Sequence, residues 1–99
     1  MKAIWKYPIP INNFSGITIH VPHYADRKFN EQVLYCEVQN GTPCLWVLVD
    51  DENEARAIRV VVAGTGHGVD SMIEGKLVHV GSFMLLDGNF VGHVFVSKG

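Results

Sequence analysis

Apolar positions along this chain fall in short runs, many of them alternating with polar residues or rich in β-branched side chains. "KAIWKYPIPI" (2–11), "GITIHVP" (16–22), "QVLYCEV" (32–38), "PCLWVLV" (43–49), "ARAIRVVVA" (55–63), "KLVHVGSFML" (76–85) and "FVGHVFVS" (90–97) each read as a strand. Glycine, proline, asparagine and aspartate fill the gaps as turn formers. Helical patterning is confined to "YADRKFNEQ" (24–32), enough for two turns, and "VDSMIEG" (69–75), enough for one. The pattern predicts an all-β fold: a small single-domain sandwich or partly open barrel, residues 1–99, with about seven mainly antiparallel strands and short helical turns at most.

Two hairpins can be placed in register. Asn40-Gly41 suits a type I′ turn, whose central residues both need positive φ. That turn sets Tyr35 opposite Trp46, Leu34 opposite Val47, Cys36 opposite Leu45 and Cys44 opposite Glu37. The two thiols then point to opposite faces, which excludes a disulfide between them in a regular hairpin. Pro43 belongs at a sheet edge or at the start of a paired segment. "CLWVLV" is the most continuously apolar run and suits a central strand packed on both faces, with Trp46 in the core. A second turn at Asp87-Gly88 sets His93 opposite Ser82 and His79 opposite Val96. This places the two imidazoles on opposite faces unless a bulge intervenes.

Composition narrows the function. The 99 residues are 47% hydrophobic and 18% charged, with a net charge of −2. A chain of this size can bury a core without metals or disulfides. The basic residues are few and dispersed, the opposite of a nucleic-acid footprint. No apolar run reaches the ~18–20 residues of a membrane helix. "MKAIWKYPIP" has neither the apolar stretch nor the cleavage site of a signal peptide, so the expected compartment is the cytoplasm.

Few residues promise chemistry. "VAGTGHG" (62–68) has the glycine density of a phosphate cradle but not the lysine of a P-loop, nor the βαβ setting of a dinucleotide fingerprint. It is first of all a sharp chain reversal, in which Gly64 or Gly66 takes positive φ. Its backbone N–H groups can still form an anion nest, with Thr65 and His67 as side-chain donors. Gly64, Thr65, Gly66, His67 and Gly68 are therefore the leading candidates for binding a ligand or partner. The five histidines and the acidic turn "DDENE" (50–54) lack metal-site spacing. No nucleophile elbow or carboxylate pair is present. No catalytic residue, metal ligand or cofactor is assigned.

Several segments, taken in order, resemble a family of small uncharacterised proteins found in phages and prophages. They are "IWKYPIP" (4–10), "ITIHVP" (17–22), "NGTPCLWVLVD" (40–50), "RVVVAGTGHGV" (59–69), "HVGSFML" (79–85) and "VGHVFV" (91–96). Members of that family reach the strand after Pro22 sooner; this chain carries a longer "HYADRKFNEQ" (23–32). The resemblance implies a phage accessory protein acting in the host cytoplasm and supplies no catalytic residues. The leading expectation is a protein-binding module that docks on a host protein, such as a defence component, and blocks it. Its aromatic anchors would be Trp5, Tyr7, Phe14, Tyr24 and Phe29. The alternative is a sponge for a small anionic ligand or nucleotide signal at "GTGHG", and an enzyme ranks last. An exposed edge strand would also permit a homodimer.

Overall fold

A computed structural model describes residues 1–10, 12 and 14–99. Its strands are β1 (Lys2–Pro8), β2 (Ile17–Pro22), β3 (Val33–Gln39), β4 (Thr42–Asp50), β5 (Ala55–Gly64), β6 (Val78–Leu85) and β7 (Phe90–Val96). All pairings are antiparallel, in a three-stranded sheet of order β1-β4-β3 and a four-stranded sheet of order β2-β5-β7-β6. The architecture is the expected open β sandwich. The strand expected over 2–11 ends at Pro8, and Ile11 lies outside the described residues.

Alternation builds the core. Leu45, Val47 and Val49 of β4 face Ile58, Val60 and Val62 of β5 and Val94 and Val96 of β7, with Phe83, Val21, Ile9 and Phe29 filling the ends. The sheets approach each other along both flanks without a shared ladder. On one flank the Tyr7 hydroxyl donates to the His20 carbonyl oxygen, 3.1 Å away. On the other, β6 runs so close to β3 that a Cβ on Gly81 would stand 2.6 Å from Cys36 Cβ, so this crossing needs glycine.

The first hairpin turns where expected, with Asn40 at φ 52° and Gly41 at φ 78°. Tyr35 pairs with Trp46, Cys36 with Leu45 and Glu37 with Cys44, and both cysteines are free thiols. Pro43 starts the β1-facing side of β4, its carbonyl accepting the Ile9 N–H at 2.8 Å. The expected Leu34–Val47 pair does not form. Val33 pairs with Val47, and Leu34 is squeezed out as a bulge. Val33 and Cys36 both pack against the core, and an odd spacing cannot face one way in a regular strand.

Trp46 corrects a second expectation. β4 is central in its sheet but packs on one face only, and Trp46 and Leu48 lie half-buried on the other. The Trp46 ring rests against Tyr35, centroids 5.7 Å apart. Trp46→Ala should therefore cost about 1–2 kcal/mol in denaturant unfolding, near the value of a surface aromatic pair and well below that of a core aromatic.

The segment 23–32 is a plug, not a free loop. Its single helical turn α1 (Phe29–Gln32) buries Phe29 and Gln32, and the Phe29 N–H bonds the Lys98 carbonyl at 2.9 Å. The Gln32 amide nitrogen donates to the carbonyls of Pro22 at 3.1 Å and Leu48 at 2.9 Å, one from each sheet. Its side-chain oxygen accepts from the Arg56 guanidinium.

Cys36 sits at the β3–β6 crossing. Loss of water pushes its thiol up to about 11, and Glu37 acts in the same direction. Native Cys36 should react with iodoacetamide at pH 8 on the order of 100-fold more slowly than in the unfolded chain. Any stability tied to this neutral thiol is intact below the ordinary thiol pKa and is lost as pH climbs through about 11.

Candidate functional site

The glycine loop closes β5 as a tight turn. The His67 N–H returns to the Gly64 carbonyl at 3.1 Å, and Gly66, the third residue of the turn, has φ 88°. Gly66 is thus the position that needs positive φ. Gly64 serves a different need: a Cβ there would stand 3.0 Å from the His67 ring and 3.2 Å from Phe90. The Thr65 N–H extends the ladder to the Val91 carbonyl at 3.2 Å. Two of the loop's N–H groups, those of Thr65 and His67, are therefore committed to carbonyls and are not open to an anion nest. A shallow cleft of about 360 Å³ lies beside the turn, lined by Gly64, Thr65, His67, Asn89, Phe90 and Val91.

Thr65 has a further partner that the sequence reading did not assign. Its hydroxyl lies 2.7 Å from His93 Nε2; His93 Nδ1 lies 2.8 Å from Ser82 Oγ; and Ser82 Oγ lies 3.1 Å from His79 Nε2. The four side chains form one hydrogen-bonded chain across the outer face of the four-stranded sheet. It exists because β6 carries a bulge between His79 and Gly81. Ser82 pairs with His93 as the turn predicts, but His79 pairs with Phe95 instead of Val96, which swings its ring onto the face of His93. The imidazole centroids are 6.2 Å apart.

For neutral rings, two proton arrangements run continuously along the chain, and in a third Ser82 accepts from both rings. In the continuous ones, Thr65 donates to His93, His93 to Ser82 and Ser82 to His79, or every donor is reversed. Such a chain can pass a proton between the glycine loop and His79. No carboxylate takes part in it, so Ser82 lacks the buried acid that orients a serine–histidine pair for acyl transfer. Among the described residues no three His, Cys, Asp or Glu side chains are placed to hold a metal ion.

The expected aromatic anchors divide. Phe29 is fully buried, and Phe14 stacks on Phe90 and meets Phe83 edge-on, each at 5.8 Å, so both belong to the core. Burial was not legible for them because they lie outside any long periodic segment. Tyr7 is half-buried and tied to β2. Tyr24 is flanked by Lys2 and Arg27, whose cations lie 5.9 and 5.2 Å from its ring centre. Trp5, 39% exposed, stays available.

A different apolar surface was missed. Ile4 (58% exposed) and Tyr35 (56%) share the outer face of the three-stranded sheet with Trp46 and Leu48, and bulged Leu34 (50%) adjoins them. Lys6 and Glu37 lie on the same face, yet their charges are engaged, Lys6 with Gln39 at 2.7 Å and Glu37 with the Tyr35 hydroxyl at 3.1 Å. The signal was present in the hairpin register, which placed Tyr35 beside Trp46.

Fold and surface together define a small antiparallel β-sandwich domain with one bare apolar sheet face and one polar, loop-bearing face. The chain belongs to the family described as Domain of unknown function (DUF7352), whose profile covers residues 1–99. No curated protein and no solved structure matches it significantly. Among the described residues no helix is long and apolar enough to cross a membrane.

Proposed function

We propose that the domain is a protein-binding module that docks through the outer face of β1-β4-β3. Following the resemblance to phage accessory proteins, its partner would be a host protein that it blocks. The observation that carries this reading is the clustering of Ile4, Tyr35, Trp46 and Leu48 on one uncovered face. Exposed apolar patches of this kind mark interaction surfaces, and aromatic residues supply most of the energy in such contacts. Lys6 and Glu37, hydrogen-bonded within the domain but still charged, flank the patch, so the face favours a partner with an apolar centre and a polar rim.

The test is retention of one host protein at 1:1 stoichiometry by tagged domain, compared across variants. Ile4→Ser with Tyr35→Ala should weaken retention at least tenfold with little change in melting temperature, whereas Thr65→Ala with His67→Ala should retain the partner fully. Unchanged retention by the first variant, or association only with other copies of the domain, overturns the reading.

A second reading places a small anionic ligand at the glycine loop. It is supported by the cleft beside Thr65 and His67 and by the donors of the hydroxyl–imidazole chain. On that reading Thr65→Ala with His67→Ala abolishes ligand retention, and the Ile4 and Tyr35 changes leave it intact.

A further inference from the structure

Val61 presents a puzzle of burial. Its strand neighbours Val60 and Val62 belong to the core between the sheets, so Val61 points to the outer face, yet it is only 5% exposed. Ser71, Met72, Gly75 and Leu77, in and just after α2 (Asp70–Glu74), lie near it on that face and give it partial cover. The cover is incomplete. Between it and β5 lies a cleft of about 480 Å³, bounded by Arg59, Val61, Met72, Leu77, Ser15 and Ser97 among others. That volume falls within the range of small-molecule sites.

The one charged side chain lining the cleft, among the described residues, is Arg59, and the other polar side chains there are serines. Among the described residues no carboxylate comes within ion-pair distance of the Arg59 guanidinium, as the recorded ion pairs all belong to the Met1 amino group. Ser97 is fixed against the Arg59 backbone from both sides: its N–H donates to the Arg59 carbonyl at 3.0 Å, and its Oγ accepts the Arg59 N–H at 2.9 Å. With its oxygen so engaged, the Ser97 hydroxyl proton remains available to a ligand. Met72, Leu77 and Val61 furnish the apolar wall.

We propose that this cleft binds a small organic monocarboxylate, its carboxylate on Arg59 and Ser97 and its hydrocarbon part on Met72, Leu77 and Val61. A guanidinium matches a carboxylate in shape and can hold it through two parallel hydrogen bonds. One cation with a hydroxyl balances one negative charge. A phosphate dianion would call for a second cation, and among the described residues no other basic side chain lines the cleft. This site is separate from the docking face and from the glycine-loop cleft, so it stands or falls apart from the proposed function.

The experiment is an NMR titration of the full chain with hexanoate, with hexanol, hexylammonium and inorganic phosphate as parallel probes. Hexanoate should produce saturable shifts at the Arg59 side-chain N–H, the Ser97 amide and the Met72 methyl, with Kd on the order of 1 mM, as suits so small a ligand. Hexanol and phosphate should bind at least tenfold more weakly, and hexylammonium should not bind. Arg59→Gln, at an exposed position, should keep the melting temperature and lose hexanoate binding at least tenfold. Met72→Ala should weaken hexanoate while leaving acetate unchanged. Equal binding of hexanol and hexanoate, tighter binding of phosphate, hexanoate shifts that persist in Arg59→Gln, or no saturable shift at about ten times the expected Kd would each overturn the proposal.

Discussion

Phe29→Ala should cost about 3–5 kcal/mol in denaturant unfolding. Phe29 is fully buried, although it lies in a helix of four residues between two strands. Its ring belongs to the same cluster as Leu45, Val47 and Val96, so truncation opens a cavity in the core shared by both sheets. A small sandwich cannot easily collapse around such a void, because most of the lining comes from strands fixed by their ladders. The loss is a large share of the ~5–15 kcal/mol that holds a domain together. A loss under about 1 kcal/mol would mean that the 23–32 segment does not dock as described.

Gln32→Leu runs against hydrophobic intuition. The position is fully buried, and leucine would fill much of the same space with apolar surface. The replacement should nonetheless destabilise by about 2–4 kcal/mol, because removing one partner leaves buried polar groups unpaired. The Pro22 and Leu48 carbonyls would both lose their amide donor, and Arg56 would lose an acceptor for its partly buried guanidinium. Gln32→Glu separates the contributions: it keeps an acceptor for Arg56 but removes the two donated bonds. Urea unfolding of both variants measures the difference. A Gln32→Leu variant as stable as the parent would show that the carbonyls find other donors.

Local chemistry was enough to place the turns. Asn40-Gly41 and Asp87-Gly88 each demand a backbone conformation that few residues accept, and both took it. The opposite faces of Cys36 and Cys44 followed directly from the first turn. Register failed farther from the turns, and for one reason in both hairpins. Val33 with Cys36, and Val80 with Phe83, are odd-spaced pairs that all pack against the core. A regular strand cannot satisfy either pair, so β3 bulges at Leu34, between its two members, and β6 bulges at Val80 itself. Which residues must point inward depends on the opposing sheet, and that information is not local. The same limit explains Trp46: an apolar run shows that a strand is central but not whether a second layer covers its far side. Phe29 and Gln32 carry no periodicity that marks them as buried. Of the candidate site, the loop was legible and its turn-forming glycine was narrowed to two. His79, Ser82 and His93 were visible residue by residue, but their meeting waited on the bulge.

That bulge makes the Thr65–His93–Ser82–His79 chain depend on a count as well as on identities. If β6 kept Val80 but lost the bulge, His79 would pair with Val96 and turn toward the core, away from Ser82; deleting Val80 as well would set His79 two places from Ser82 and keep both on the outer face. A one-residue insertion between 79 and 82, by contrast, would break the link without altering any member of it, turning His79 over if the bulge persists and setting it four places from Ser82 if it does not. Among members of this family, a histidine and a serine aligned in the right columns would therefore say little by themselves. The length of the interval between them, taken together with whether the strand bulges within it, decides whether a proton can travel across this face.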